Sequence, residues 1–464
     1  MEPNSKFNMK FIWMICLTAA LGGLLFGYDW VVIGGAKPFY EAYFNLTSSF
    51  QVGWAMSCAL VGCMAGSVLS GGLSDKFGRR RLLIFSGFLF TLSAIGTGWS
   101  ESFNCFVVFR LIGGVGIGLA SNLSPMYIAE ISPASMRGRF VSINQLTIVI
   151  GILAAQIVNY LIAEPVETNA TAEMILKSWN GQWGWRWMFW VETIPAFLFF
   201  LFMFLVPESP RWLVKNGKDE TAGKVLEKIG EKSYAQDALT NIKKSLVNEI
   251  EKVNFRELLE PRLMKILLLG VVLAVFQQWC GINVIFNYAH EIFTQAGYGV
   301  SDMLFNIVIT GIVNLMFTFV AIYTVDRLGR RKLMLSGAGG LAIIYLFIGL
   351  SYYFQFSGVH VLILVVMAIA CYSCTLAPVT WVIISEIFPN RIRGAAMSIA
   401  VTMLWIACFV LTYTFPILNK KLGTAVTFWI YMVICVLGFC FIKRSLPETK
   451  GKTLEEIEIE LTGK

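Results

Sequence analysis

The sequence has little of what enzymes and metal proteins usually need. Only two histidines, His290 and His360, occur among its 464 residues, and no nucleophile–base arrangement stands out. The ten cysteines are scattered, without paired or metal-ligand spacing. No Gly-rich loop or P-loop that could hold nucleotide phosphates is present. We therefore expect no enzyme, no metal, no cofactor and no ATP-driven pump.

Charge is scarce as well. Charged residues make up 14% of the chain, whereas soluble domains carry about 25%. The chain is 56% hydrophobic, and its mean hydropathy is +0.67. Apolar runs of about 18 residues or more can cross a bilayer as helices, and we predict twelve of them. The first, over 11–33, is too long for a signal-peptide core and should remain uncleaved. The pattern predicts an all-α membrane protein with twelve transmembrane helices.

The net charge of +8 is arranged for membrane topology and not for nucleic-acid binding. Lysine and arginine concentrate in alternate loops, as at Arg79–Arg81, while the intervening loops carry few, such as Lys37 and Lys177. Positive charge stays on the cytoplasmic side of membranes. We therefore expect a multi-pass cell-membrane protein, monomeric in the lipid bilayer, with both termini and the polar segment 207–262 in the cytoplasm.

Three segments recur in the same order, which is the mark of a duplicated unit. The pairs are Asp75–Arg81 with Asp326–Lys332, Ala129–Gly138 with Ser385–Gly394, and Pro207–Ser209 with Pro447–Thr449. Many transporters are built from such repeats. The duplication predicts two pseudo-symmetric six-helix halves. The expected divisions are a first half at 1–206, a linker of short cytoplasmic helices at 207–262, a second half at 263–442, and a cytoplasmic tail at 443–464.

The repeated loops also resemble a known family. Gly71–Arg81 is similar to the signature loop of the major facilitator superfamily, and the copy at Asp326 is similar to its second-half partner. Further motifs match the sugar porter family: Arg110–Gly118, Pro207–Trp212, Gln277–Asn283 and Pro447–Gly451. These motifs occur in order along essentially the whole chain. Within the family, the pattern of motifs most resembles that of bacterial sugar–proton symporters of the xylose type. The resemblance implies the major facilitator fold and transport by alternating access.

Three charges lie inside predicted membrane helices: Asp29, Arg110 and Glu192. Each costs about 2.5–3.5 kcal/mol in the hydrocarbon, so such residues are usually paired or functional. Asp29 and Arg110 form a natural opposite-charge pair. The resemblance implies that Asp29 couples proton movement, that Arg110 modulates it, and that Glu192 takes part in the cycle. Passive relatives carry asparagine at the position of Asp29. The alternative is a static structural ion pair.

The repeated loops place acidic and basic residues at matched helix ends. The residues are Asp75, Arg79, Glu130 and Arg137 in the first half, and Asp326, Arg330, Glu386 and Arg393 in the second. Ion pairs among them could hold the halves together on the cytoplasmic side and would break when that side opens. A single surface pair contributes about 0–1 kcal/mol, so a gate needs a cluster. The alternative is topology signal with solvated charge.

A sugar site needs amides for hydroxyl groups and aromatic faces for C–H surfaces. The seventh predicted helix supplies Gln277, Gln278 and Asn283, and Gly281 between them permits local unwinding. The alternative for any membrane amide is a helix–helix hydrogen bond. The residues added by resemblance are Gln145, Asn314 and Trp381, with Phe26 and Trp405 as apolar walls.

The chain also departs from the family pattern. Leu404 and Cys408 stand where relatives carry amides, Asn287 stands where an aromatic gate residue is usual, and Ala377-Pro378 replaces a Gly-Pro pair. The identity of the sugar is therefore left open. We expect a transporter that couples the uptake of a monosaccharide, a pentose or hexose, to proton entry. The alternatives are a proton-independent sugar facilitator and a non-transporting sugar sensor.

Overall fold

The computed structural model describes residues 7–167, 170–248, 260–356, 358–388 and 393–450. Every regular element within these residues is a helix, which confirms the predicted all-α class. The predicted helix in the C-terminal tail, near 453–461, lies outside the described residues.

The first half of the chain crosses the bundle six times. Five crossings are single helices, and the sixth is split into a π-helical turn at Asn180–Gly184 followed by two short helices. The helices are α1 Met9–Phe44, α2 Ser49–Phe77, α3 Arg79–Gly98, α4 Phe103–Ile131, α5 Arg137–Ile162, α6 Ala172–Lys177, α7 Trp185–Trp190 and α8 Thr193–Phe202. The described part of the polar segment that follows holds three short helices. These are α9 Pro210–Lys215, α10 Asp219–Ile229 and α11 Lys232–Asn248.

The second half makes six further crossings, several of them interrupted. Its helices are α12 Pro261–Trp279, α13 Ile282–Asn287, α14 Ala289–Gln295, α15 Val300–Leu328, α16 Arg330–Tyr353, α17 Val359–Cys374, α18 Leu376–Ile387 and α19 Arg393–Ser445. Gly423 breaks α19 with φ 80° and ψ 163°, so α19 provides two crossings. Ten described helices are long and apolar enough to span a membrane. Because α19 makes two crossings and the split sixth crossing is not among the ten, the total is the predicted twelve crossings.

Glycines set the close packing of α2 on α4. A Cβ at Gly114 would lie 1.9 Å from the carbonyl oxygen of Ala59, and one at Gly118 would lie 2.3 Å from that of Cys63. Gly62 and Gly66 approach α4 equally closely. Small residues four apart let membrane helices touch through their backbones. This contact fixes α4, and with it Arg110, inside the first six crossings.

The first helix is longer than the sequence predicted. The apolar run was expected to end at residue 33, with Lys37 in a loop, and this prediction is wrong. α1 continues to Phe44 and ends at Asn45 in a left-handed conformation with φ 50°. Lys37 is only 2% exposed inside the helix, where two carboxylates neutralise it. A paired lysine does not need a loop in water, so α1 can continue past it.

The two sets of six crossings meet along several helix pairs. α2 packs on α19, α5 packs on α15, and α1 packs on α13 and α14. We call the end of the bundle at which α1 begins the terminal face, and the end at which α1 stops the far face. The candidate functional residues lie between the two faces and at the terminal face.

Candidate functional site

The three membrane charges predicted from the sequence come together. Arg110 on α4 donates from Nη1 to Asp29 Oδ1 on α1, and both side chains are buried. Glu192, in the turn between α7 and α8, is also buried and interacts electrostatically with both of them. The Arg110 guanidinium lies 5.6 Å from the ring centre of Phe189. The guanidinium thus pairs directly with Asp29, and the buried Glu192 carboxylate lies within electrostatic range of both.

The ion pair leaves one polar atom of each side chain without a partner among the described residues. Asp29 Oδ2 and Arg110 Nε have no hydrogen-bond partner among the described residues. Gly113 keeps the space beside this carboxylate open, because a Cβ there would lie 3.3 Å from Asp29 Oδ2. A buried carboxylate with one free oxygen can bind a proton when its cation moves away. One oxygen of the Asp29 carboxylate is therefore left without a partner among the described residues.

The three predicted amides of the seventh crossing form a chain. Gln278 Nε2 donates to Gln277 Oε1 at 3.0 Å, and Asn283 Nδ2 donates to Gln278 Oε1. All three are buried. Gly281 has φ 87°, so α12 ends and α13 begins on either side of it, and the predicted interruption is confirmed. The break turns Asn283 back toward Gln278, five residues away.

Three aromatic rings meet where the two halves face each other. Phe26 and Trp30 on α1 are 6.0 Å apart, and Trp405 on α19 lies 5.9 Å from Phe26 and 6.0 Å from Trp30, measured between ring centres. Trp405 Nε1 is buried without a hydrogen-bond partner in the described chain. Trp30 was not predicted from the sequence. The sequence feature that could have indicated it is its position directly after the membrane carboxylate Asp29.

The other residues expected around a sugar are dispersed. Gln145 is half-buried on α5, and Trp381 on α18 is 38% exposed. Asn314 Oδ1 accepts a hydrogen bond from Ser373 Oγ at 2.6 Å, which is the helix–helix bond that the sequence left as an alternative. Cys408, at a departure from the family pattern, has its sulfur 3.7 Å from Asn283 Nδ2. Cys408 therefore contacts the amide chain.

Asn287 lies near Arg110, the partner of Asp29, and is not part of the amide chain. It lines a small cavity of about 10 Å³, together with Trp30 and Arg110. Its Oδ1 is buried and has no partner among the described residues. This small cavity therefore lies between Asn287 on α13 and Arg110, the partner of Asp29.

Charged residues at the terminal face form a cluster in the first half. Arg79 contacts Glu130 at 3.0 Å and Asp75 at 3.4 Å. Glu208 Oε1 accepts the backbone N–H groups of Arg79 at 3.0 Å and Arg80 at 3.1 Å, at the start of α3. Burial raises the pKa of Glu208, and these N–H donors work against that rise. The carboxylate thus caps α3 and complements its dipole.

The second half repeats this arrangement. Arg330 contacts Glu386 at 3.3 Å, and Glu448 accepts the backbone N–H of Arg330 at 2.9 Å. Thr449 Oγ1 donates to Glu386 at 2.7 Å, as Ser209 Oγ donates to Glu130 in the first half. The repeated motifs therefore build the same capped helix start twice. The sequence reasoning missed the capping role of Glu208 and Glu448.

These ion pairs join helices of the same half. The predicted pairs between halves stay a prediction, and the side chains of Asp326 and Arg393 lie outside the described ones. Arg137 Nε donates to the carbonyl oxygen of Ala129 at 3.0 Å, the residue before Glu130. The terminal-face residues thus hold each half together internally in this conformation.

Replacing Glu208 with alanine should lower stability. The N–H groups of Arg79 and Arg80 would lose their acceptor, which costs about 1–3 kcal/mol. We expect the melting temperature in detergent to fall by several degrees. Glu227→Ala, on the exposed side of α10, is the control and should leave it unchanged. Equal melting of the two variants would contradict the capping role.

Comparison with known proteins defines the class. A family model described as "Sugar (and other) transporter" matches residues 15–461, so the chain belongs to this family of membrane transporters. It is 40% identical to the D-xylose-proton symporter of Escherichia coli strain K12, over 98% of this chain and 96% of the relative. It is also 40% identical to the arabinose-proton symporter of Bacillus subtilis strain 168, over 99% and 97%.

The fold agrees with this assignment. The inward open conformation of the xylose transporter XylE from E. coli is similar with a TM-score of 0.84 and 38% identity. That match covers 97% of this chain and all of XylE. The protein therefore has the twelve-helix major facilitator fold that the resemblance implied, and it is a multi-pass membrane protein of a family that is not enzymatic.

Proposed function

We propose that the protein is a sugar–proton symporter. It moves a monosaccharide, a pentose or hexose, into the cell together with a proton by alternating access. Halves 1–206 and 263–442 rock around the central site, joined by the linker at 207–262. The terminal face, which is rich in lysine and arginine, is the cytoplasmic one. The observation that carries the proposal is the buried Asp29–Arg110 pair in a bundle that also holds a buried amide chain and a cluster of aromatic rings.

The proposed proton coupling rests on the charges of Asp29 and Arg110. A carboxylate held by a guanidinium in the hydrocarbon is stable when ionised, and it is stable without the guanidinium only when protonated. Movement of α1 relative to α4 would therefore couple protonation of Asp29 to the conformation. Glu192 offers Arg110 a second carboxylate. Relatives named as proton symporters of xylose and arabinose support this mechanism.

The proposed sugar binding rests on polar and apolar groups that are complementary to a sugar. Gln277, Gln278 and Asn283 carry donors and acceptors that match pairs of sugar hydroxyl groups. Phe26 and Trp405 present apolar faces from the two halves. A ligand that contacts the amides of one half and the aromatic ring of the other favours the state in which the halves close on it.

The likeness to the inward open XylE supports an inward-facing conformation here. Ion pairs within each half at the cytoplasmic side are compatible with an open inner side. Asp75, Arg79, Glu130 and their second-half counterparts would then pair across the halves when that side closes. In this conformation Asp29 is paired with Arg110, as expected after proton release to the cytoplasm.

The proposal is tested by adding sugar to cells in weakly buffered medium. Symport should make the medium more alkaline as sugar enters, and purified protein in proteoliposomes should exchange labelled xylose, glucose, galactose or inositol by counterflow. Counterflow without a pH change would favour the facilitator. Binding without counterflow would favour the sensor. No exchange or binding with any pentose, hexose or polyol would contradict the sugar assignment.

A further inference from the structure

We propose that Lys37 and Glu291 form a latch that closes the far face between the two halves. Lys37 Nζ lies 2.8 Å from Glu41 Oε1 on its own helix and also contacts Glu291 on α14, in the other half. The Lys37 side chain is 3% exposed, and the two carboxylates are about one-fifth exposed. One pair is thus local to α1, and the other bridges the halves.

The surroundings of Lys37 are closely packed. Its Nζ lies 5.8 Å from the ring centre of Tyr288. Gly34, one turn earlier on α1, approaches the backbone so closely that a Cβ would lie 3.1 Å from the Asn287 carbonyl oxygen. The backbones of α1 and α13 therefore touch just below the ion pair. The far face is closed here by a backbone contact, with a charged contact beside it.

The contribution of the Lys37–Glu291 pair depends on whether the far face is closed or open. With the far face closed, Lys37 is desolvated, and Glu291 from the other half joins Glu41 in neutralising it. With the face open, water solvates all three groups, and the bridging pair contributes little. The bridging pair therefore stabilises the closed far face selectively, which is what a latch requires. The Lys37–Glu41 pair persists on α1 in both conditions and supplies no such bias.

The inference rests on the alternating access proposed above. It is tested by hydrogen–deuterium exchange of the full-length protein in detergent without sugar. In Lys37→Met and in Glu291→Gln, amides in 36–46 and 287–297 should exchange about tenfold faster, because the far face opens. Amides at the terminal face, around 71–81 and 326–332, should exchange more slowly as that side closes.

Two further variants separate a latch from general destabilisation. Glu41→Gln removes only the local pair and should change exchange by less than about twofold. The double variant Lys37→Glu/Glu291→Lys keeps one lysine and two carboxylates across the same interface, and it should restore the wild-type pattern. This rescue is informative even if Lys37→Met folds poorly.

Unchanged exchange in Glu291→Gln would overturn the latch, as would equal effects of Glu41→Gln and Glu291→Gln, or a swap that restores nothing. The readout needs no substrate, so it is independent of the sugar assignment. A protein without counterflow that still shows the predicted exchange pattern would refute the symporter and keep the latch.

Discussion

Replacing Asp29 with asparagine is expected to abolish concentrative uptake and to leave sugar counterflow largely intact. Asparagine keeps the shape of aspartate and an oxygen that can accept the Arg110 bond, but it cannot bind and release a proton. A membrane potential of 100 mV supplies about 2.3 kcal/mol per charge. With one proton per sugar this drives roughly 50-fold accumulation. The variant should reach equal concentrations on both sides.

The measurement is labelled-sugar accumulation in vesicles with an imposed potential and pH gradient, followed by counterflow in the same preparation. Asp29→Glu is the matched control, because it retains a titratable carboxylate and should keep part of the accumulation. Glu192 lies close enough to interact with Arg110 in the variant, so the guanidinium keeps one carboxylate. Accumulation by Asp29→Asn at the wild-type level would assign proton coupling elsewhere and leave Asp29–Arg110 a structural pair.

Much of this architecture follows from the sequence because the relevant signals are local. Twelve apolar runs predict twelve crossings, and the repeated loops predict duplication. The sequence predicts the Asp29–Arg110 ion pair because few charges lie in the membrane, and opposite charges there are usually paired. Gly281 marked a break because only glycine adopts its φ of 87° without strain.

What the sequence did not predict depends on distant partners. The sequence places Lys37 in a loop, because its partner Glu291 lies far along the chain. In the structure Glu291 neutralises Lys37 inside α1. Glu208 and Glu448 were recognised as parts of motifs. Their role became clear only when the fold brought each of them to the start of another helix. Burial of a charge depends on its tertiary partner, and hydrophobic periodicity carries no information about that partner.

The structure also shows where the duplicated halves diverged. The capped helix starts at Arg79 and Arg330 are nearly equivalent. The central chemistry is divided, with the buried ion pair in the first half and the amide chain in the second. Trp30 and Trp405 touch across that division. The aromatic contact therefore joins the half that carries the ion pair to the half that carries the amide chain.

Replacing Asn283 with alanine is expected to weaken sugar binding about tenfold to a hundredfold. The change removes one amide from the chain and leaves Gln278 Oε1 without its donor. A lost hydrogen bond costs about 0.5–1.5 kcal/mol, and an unsatisfied buried group about 1–3 kcal/mol. Equilibrium binding can be followed by tryptophan fluorescence, because Trp405 lies in the same region on α19, three residues from Cys408, which contacts Asn283.

Asn159→Ala is the matched control for this variant. Asn159 is also a buried membrane amide, and its Nδ2 donates to the Val32 carbonyl oxygen at 3.0 Å, within the first half. It is thus a helix–helix bond of the kind that any membrane asparagine can form. Its loss should lower the melting temperature without changing sugar affinity. If Asn283→Ala behaves in the same way, its amide serves helix packing alone, and the sugar contacts must be sought at Gln277 and Gln278.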